Sequence, residues 1–298
     1  MNILITGGSG FIGANLCSCL SKDGHDITGL TRSLKKTEGE ITWINSLDEL
    51  KQNASFDIVI NLAGEPIGDK RWTEKQKVVI IQSRIEITRK LVEYFKKAQV
   101  KPELFISGSA IGYYGVYGST HNVSEEAKGD ESFSSQLCMR WETEARKAEK
   151  LNIRTCLLRT GIVLGKNGGV LKKLLLVYKW GLGGKIGTGK QWMPWIHVED
   201  MIGILRYCIE QVDLSGPINC TAPRVVTNKK FSNALAKALN RPSFFPLPER
   251  IVRLLMGQMG EELLLAGKQI IPNKILRAGY VFKYKDLDVA LADIVRSG

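Results

Sequence analysis

Four glycines near the start of the chain, Gly7, Gly8, Gly10 and Gly13, follow the apolar run Ile3-Leu4-Ile5 and lead through Phe11-Ile12 into a segment of helical period. A strand that turns through glycine into a helix points backbone N–H groups and the positive end of the helix dipole at one place, which suits a diphosphate. The first glycines permit the tight turn, Gly10 lets a pyrophosphate approach the backbone, and Gly13 lets the helix pack closely on the strand. Gly7, Ser9, Gly10, Phe11, Ile12 and Gly13 are therefore expected to contact a dinucleotide. At the end of the second strand, a site for an unphosphorylated adenosine ribose calls for Asp or Glu. This chain has Thr31-Arg32 instead, with Lys35 and Lys36 just beyond. A guanidinium can pair bidentately with a 2′-phosphate that a carboxylate would repel, so the residues favour NADP(H) over NAD(H). The bland alternative is that Arg32 is an exposed charge.

Such a site needs a parallel sheet to hold it. Apolar runs of strand length alternate with segments of helical period, the pattern of a parallel sheet covered on both faces. The runs predict strands near 2–6, 26–31, 57–62, 103–108, 153–159 and 217–220, and helices near 11–23, 73–98, 132–150, 168–180 and 198–211. In the longest helix Ile81, Ile85, Leu91, Val92 and Phe95 read as one stripe facing the sheet. Beyond residue 221, strand-like runs give way to short helical stretches broken by Pro242, Pro246, Pro248 and Pro272. The expected fold is α/β, a Rossmann-type doubly wound parallel sheet with a smaller, mostly helical C-terminal substrate part. Its divisions are expected at 1–221, carrying NADP(H), and 222–298. The Gly-rich run GLGGKIGTG (181–189) cannot be regular helix and predicts a cleft loop over 181–191.

The 298 residues, with 44% hydrophobic and 24% charged content, can build a substantial core. No stretch approaches the roughly 18 to 20 apolar residues that cross a bilayer, and Met1 to Thr6 is too short and uncharged for a signal peptide. The reading is a cytoplasmic protein with no membrane partner. Cys17, Cys19, Cys138, Cys156, Cys208 and Cys220 lack CxxC spacing, so neither a metal site nor a disulfide framework is expected. The net charge of +12 would suit an anionic partner, but Lys and Arg are spread along the chain without aromatic interleaving, which argues against nucleic acid. The expected partner is a small molecule; the oligomeric state is not legible.

Thr6-Gly7-Gly8-Ser9-Gly10-Phe11-Ile12-Gly13 resembles the TGxxGxxG pattern of the short-chain dehydrogenase/reductase superfamily. Asn61-Leu62-Ala63-Gly64 looks like that superfamily's post-strand motif on the adenine and ribose side, SGSAIGYYG (107–115) like the Ser-bearing strand end of its extended branch, LRTGIVLG (158–165) like LRPxxVYG, and WIHVEDM (195–201) like FIHVxD. More narrowly, NLAGEPI (61–67), Trp72, Ser83-Arg84, GYYG, Trp141-Glu142, IGTGKQWMPWIHVEDM (186–201) and NCTAP (219–223) are similar to an atypical subfamily, the epimerase family, which carries an uncharacterised C-terminal helical domain. The likeness spans essentially the whole chain. It implies cofactor contacts at Leu62, Ala63, Gly64 and Ser107, with Glu65 reaching ribose hydroxyls and Arg84 reaching the cofactor or a substrate phosphate. An ordinary loop charge and an ordinary salt bridge are the respective alternatives.

The superfamily's acid/base pair is a Tyr and, four residues on, a Lys that lowers its pKa. The helix that should carry it, FSSQLCMRWETEARKAEK (133–150), has no tyrosine; Leu137 or Cys138 falls where Tyr belongs and Trp141 or Glu142 where Lys belongs. Ser109 matches the substrate-orienting serine. Tyr113 and Tyr114 are candidate replacements for the proton partner, unless their rings only line the cleft wall. His197 could act in catalysis or merely cap a helix, Cys138 lacks a base in sequence to activate it, and Glu142 reads as a helix-surface or interdomain contact.

Two functions follow. One is an NADP(H)-dependent oxidoreductase or epimerase-like enzyme acting on a nucleotide-sugar-like or small carbonyl substrate, with Ser109, Tyr113 and Tyr114 as catalytic candidates. The alternative is a non-catalytic NADP(H)-binding or sensing protein.

Overall fold

The computed structural model describes residues 1–32, 41–50, 54–118, 120–166 and 168–296. Lys35 and Lys36 lie outside the described residues. From the N-terminus the chain forms β1 Asn2–Thr6, α1 Phe11–Lys22, β2 Asp26–Leu30, β3 Ile41–Ile44, β4 Ile58–Asn61, α2 Glu74–Lys97, β5 Leu104–Ala110, α3 Phe133–Ala145 and β6 Arg154–Thr160. It continues with β7 Ile162–Leu164, α4 Gly169–Lys179, β8 Trp192–Met193, β9 Trp195–His197, α5 Val198–Glu210 and β10 Gly216–Cys220. The remainder is β11 Val226–Thr227 and the helices α6 Asn228–Ala238, α7 Glu249–Met256, α8 Gln258–Gly260, α9 Asn273–Arg277 and α10 Leu287–Arg296.

Seven strands form one sheet in the order β10-β6-β5-β4-β1-β2-β3, with every pairing parallel. Connections run outward in both directions from the β1/β4 boundary, so the sheet is doubly wound, and its switch point lies where β1 ends in the glycine turn. Alternation along β1 shows why both faces are covered. Ile3 and Ile5 pack with Leu16, Leu20, Met201 and Leu205 of α1 and α5, while Leu4 packs with Leu91 and Phe95 of α2 and Phe105 and Leu157 of neighbouring strands.

The expected strands and helices of the sheet region all form, with ends shifted by a residue or two, except that the helix expected over 132–150 is α-helical only to Ala145 and continues as a 3-10 helix over Arg146–Leu151. Five short strands were not anticipated. Among the described residues β3 is an edge strand paired with β2 alone, and β7 with β9, and β8 with β11, form two separate two-stranded pairs. Runs of two to four residues carry too little periodicity to be read locally, and their pairing is long-range.

The C-terminal part is mostly helical, yet it is woven into the sheet domain. Ile275 and Phe282 belong to the same buried cluster as Ile3 and Ile5, and α10 packs with α6, Trp195 and Tyr178 in another. The run 181–191 is irregular and held by this part: Asn228 accepts from the Ile186 N–H at 2.7 Å, and the Gln191 amide donates to the Leu264 carbonyl at 2.8 Å.

Candidate dinucleotide and substrate site

Gly7 takes φ +70°, and a Cβ there would lie 2.7 Å from the backbone of Leu62. A Cβ at Gly13 would sit 2.2 Å from the Gly7 carbonyl oxygen. The turn therefore works only in glycine, because it presses α1 down on β1 and against the end of β4. Thr6 fastens the two strand ends: its hydroxyl donates to Asn61 at 2.6 Å and accepts from the Ala63 N–H at 3.3 Å. No side chain caps α1, whose N-cap is Gly10, and Ser9 and Gly10 are exposed. First-turn N–H groups without a capping side chain, in a turn that a Cβ would fill, are what a diphosphate needs, so the residues present fit a dinucleotide.

The flanking walls are also set. On one side, a Cβ at Gly165 or Gly168 would meet the Phe11 ring at 2.6 and 2.3 Å, so the stretch after β7 closes onto the start of α1. On the other, Leu62, Ala63 and Gly64 leave β4 beside the turn. Arg32 is exposed and its guanidinium lies 3.7 Å from the Glu65 carboxylate, which also faces Lys70 at 3.5 Å. Thr31 is buried, leaving Arg32 as the open group at this strand end among the described residues.

Arg84 and Ser107 sit differently from their expected roles. Arg84 lies under the post-β4 loop, donating to the carbonyls of Glu65 and Ile80, each at 3.0 Å, with its guanidinium over the Trp141 ring. It braces the loop instead of reaching into the groove, because the absence of a side chain at Gly64 lets it approach; a Cβ there would come within 3.0 Å of it. Ser107 is fully buried in β5, with its hydroxyl on the Gly108 carbonyl, so its side chain is withdrawn from the groove.

The catalytic candidates surround a buried ion pair. A Cβ at Gly108 would meet Trp141 at 2.8 Å, and this close approach of α3 to β5 brings Glu142 beside Ser109. The Ser109 hydroxyl donates to Glu142 at 2.7 Å. Arg159, at the far end of β6, grips the same carboxylate through Nε at 2.8 Å and Nη2 at 2.9 Å. Its Nη1 donates to the Tyr114 hydroxyl and to the Glu125 carbonyl, each at 3.0 Å, and Tyr114 donates in turn to Asn219 at 2.5 Å. Burial opposes the charge on Arg159, but the hydrogen bonds and charge attraction of Glu142 and Tyr114 together outweigh it, holding the guanidinium protonated. Glu142 is thus no surface or interdomain contact: only 4% exposed, it is the internal partner of Arg159.

This network sorts the tyrosines. Burial pushes the Tyr114 phenol up to about 12, and its hydroxyl is occupied by Arg159 and Asn219, so Tyr114 is a structural group and not an acid/base. Tyr113 is half-buried, lays its ring 3.4 Å from the Arg159 guanidinium, and makes no hydrogen bond through its hydroxyl among the described residues. The Ser109 hydroxyl points its proton at Glu142, which leaves its lone pairs for a substrate.

Two further candidates prove structural. Burial and the nearby Glu142 carboxylate push the Cys138 thiol up to about 11, the reverse of an activated nucleophile. His197 caps α5 by accepting the Glu199 N–H on Nδ1 at 3.2 Å, with its ring against Tyr284 and its pKa lowered by burial. The C-terminal part secures the helix that carries Glu142. The Glu262 carboxylate accepts the Phe133 and Ser134 N–H groups at 3.2 and 2.9 Å, capping α3 from outside.

Residues missed by the sequence reading include Arg159, Asn219 and Glu125. Arg159 had a signal: a cation inside the apolar run CLLRTG must find a buried partner. A cavity of about 360 Å³, lined by Asn2, Asp26, Thr28, Thr42 and Phe56, reaches the starts of β1 and β2, away from the glycine turn. Ligands of parallel sheets gather at the other strand ends.

Strand order, glycine turn and open helix end define a Rossmann-type nucleotide-binding protein. The chain belongs to the NAD dependent epimerase/dehydratase family, whose model matches residues 3–220; a domain of unknown function, DUF1731, matches 247–294. It is 38% identical over 99% of its length to epimerase family protein YfhF of Bacillus subtilis, covering 98% of that protein. It is 37% identical to human epimerase family protein SDR39U1, over 99% of this chain and all of that one. A crystal structure of human SDR39U1 with NADPH superposes with a TM-score of 0.90 at 33% identity, covering 99% of each chain. UDP-glucuronic acid 4-epimerase from Bacillus cereus, in complex with NAD, shares the fold at a TM-score of 0.79 and 19% identity, over 99% of this chain and 96% of that one.

Proposed function

We propose that this chain is an NADP(H)-dependent oxidoreductase or epimerase-like enzyme acting on a small carbonyl or nucleotide-sugar-like substrate, with Tyr113 as its proton partner. Bound cofactor would supply the hydride. Gly7, Ser9, Gly10, Phe11, Ile12 and Gly13 hold the diphosphate, Leu62, Ala63 and Gly64 flank the adenosine side, and Arg32 takes the 2′-phosphate in exchange for its contact with Glu65. The observation that carries the catalytic reading is the Tyr113 phenol, half-buried at the end of β5 and free of hydrogen bonds among the described residues. NADPH bound by human SDR39U1 supports the choice of cofactor.

The test is single-turnover oxidation of NADPH by purified protein across a panel of carbonyls and nucleotide sugars, followed by cofactor absorbance. Loss of absorbance with at least one substrate is expected. NADPH bound but never oxidised across the panel would favour the second reading, a non-catalytic NADP(H)-binding protein. That reading draws on Glu142, a carboxylate tied to Arg159 in the helix where the superfamily carries its Lys.

Replacing Arg32 with Glu tests the cofactor assignment. A charged hydrogen bond contributes about 1.5–3 kcal/mol, so NADPH affinity measured by calorimetry should fall by roughly ten- to a hundredfold while NADH affinity holds. Equal loss of both coenzymes, or of neither, would remove Arg32 from the 2′-phosphate site.

A further inference from the structure

The stretch that follows α4, from Trp180 to Lys190, and the stretch Arg241 to Gly257 lie side by side. Their backbones are stitched together by Phe245 N–H to the Gly183 carbonyl at 3.2 Å, Leu247 N–H to Lys185 at 2.9 Å, and Gly187 N–H to Leu247 at 2.8 Å. On both segments, large apolar side chains point outward. Trp180 is 77% exposed, Phe244 81% and Leu254 74%. In α7 the inward residue is Val252, while Ile251, Leu254 and Leu255, at positions i, i+3 and i+4, put an apolar stripe on the outer face. An amphipathic helix that turns its apolar stripe away from the core needs another surface to cover it.

The charge around this patch says what that surface is. Residues 168–190 contain five lysines and no carboxylate, and residues 241–257 three arginines and one glutamate. Lys172, Lys179, Arg241 and Arg250 are exposed and make no ion pair among the described residues. A second copy of this chain would bring the same cations face to face, at a repulsive cost. Exposed Trp and Phe beside unpaired Lys and Arg match instead the boundary of an anionic bilayer, where aromatic rings sit at headgroup level and each nearby cation gains attraction from the surface potential.

We propose that this face docks the protein peripherally on an anionic lipid surface, with Trp180, Phe244 and the outer stripe of α7 inserted at the headgroup boundary and the surrounding cations on the headgroups. No helix among the described residues is long and apolar enough to cross a membrane, and a peripheral contact needs none. The sequence expectation of no membrane partner, drawn from the lack of a span, does not reach such a contact.

Co-sedimentation of the full chain with vesicles tests this. Vesicles of phosphatidylcholine mixed equally with phosphatidylglycerol should pellet the protein, pure phosphatidylcholine vesicles should not, and added salt should release it. The double variant Trp180→Ala/Phe244→Ala should lower the bound fraction by on the order of tenfold, and Lys179→Glu/Arg250→Glu by at least as much. NADPH binding should be unchanged in both variants, which also shows that they fold. Three results would each overturn the proposal: no retention on anionic vesicles, retention that survives both double variants, or concentration-dependent self-association that Trp180→Ala/Phe244→Ala abolishes.

Discussion

Glu142→Leu is expected to destabilise the protein by about 3–5 kcal/mol, read as a fall in the urea midpoint without a change in slope. The size follows from what is left behind. Arg159 is 2% exposed, and without Glu142 its guanidinium keeps only the Tyr114 hydroxyl and the Glu125 carbonyl as acceptors. Pairing does not make the charge cheap to bury; it offsets a desolvation cost that reappears when one partner goes. The double variant Glu142→Leu/Arg159→Met should therefore be more stable than Glu142→Leu alone, since replacing both charges by apolar groups of similar volume is often neutral. A single variant within about 1 kcal/mol of wild type would mean that water reaches Arg159 and that the pair is not closed.

That pair also reorganises the chemistry of the site. In the superfamily pattern, a lysine one helical turn beyond the tyrosine favours phenolate. Here the corresponding turn of α3 carries Cys138 and Glu142, and neither is available: the thiol is buried and pushed up to about 11, and the carboxylate is shared by Arg159 and Ser109. A site of this kind cannot run its proton through α3. The remaining ionisable hydroxyl at the end of β5 with an uncommitted oxygen is that of Tyr113.

How much of this could be read in advance differs residue by residue. The glycine turn was legible because its glycine spacing is local: Gly13 is fixed by the Gly7 carbonyl a few residues away, although the backbone that fixes Gly7, at Leu62, comes from the end of β4. The parallel sheet was legible because strands buried on both faces are long apolar runs. The pair β7/β9 was not, because three-residue strands acquire their identity from a partner some thirty residues away. Glu142 was misread as a surface group because helical spacing places it on α3 but does not say that Gly108 lets that helix descend onto β5. Arg84 was misdirected for a similar reason: its target, the carbonyl of Glu65, depends on a loop path that no periodicity encodes. Tyr113 and Tyr114 are adjacent in one tight turn, Ile111–Tyr114, and which ring turns inward is decided by Asn219, 105 residues beyond Tyr114.

Their contrast gives the second large effect. Tyr113→Phe should reduce the rate of single-turnover NADPH oxidation by roughly 10² to 10⁴, the contribution of a positioned general acid or base, and leave NADPH affinity unchanged. Stability should hardly move, because the Tyr113 hydroxyl satisfies no buried partner and the ring that covers Arg159 is retained. Tyr114→Phe should behave in the opposite way. Removing that hydroxyl strips Asn219 of a donor and Arg159 of an acceptor inside the fold, a loss of about 1–3 kcal/mol in stability, while the chemical step proceeds in the molecules that remain folded. If Tyr113→Phe keeps turnover within about threefold of wild type, a phenol is not the proton partner, since even a modest general acid contributes more than that. If Tyr114→Phe alone abolishes turnover at unchanged stability, the roles of the two residues are reversed, and the closed network around Arg159 must open during the reaction.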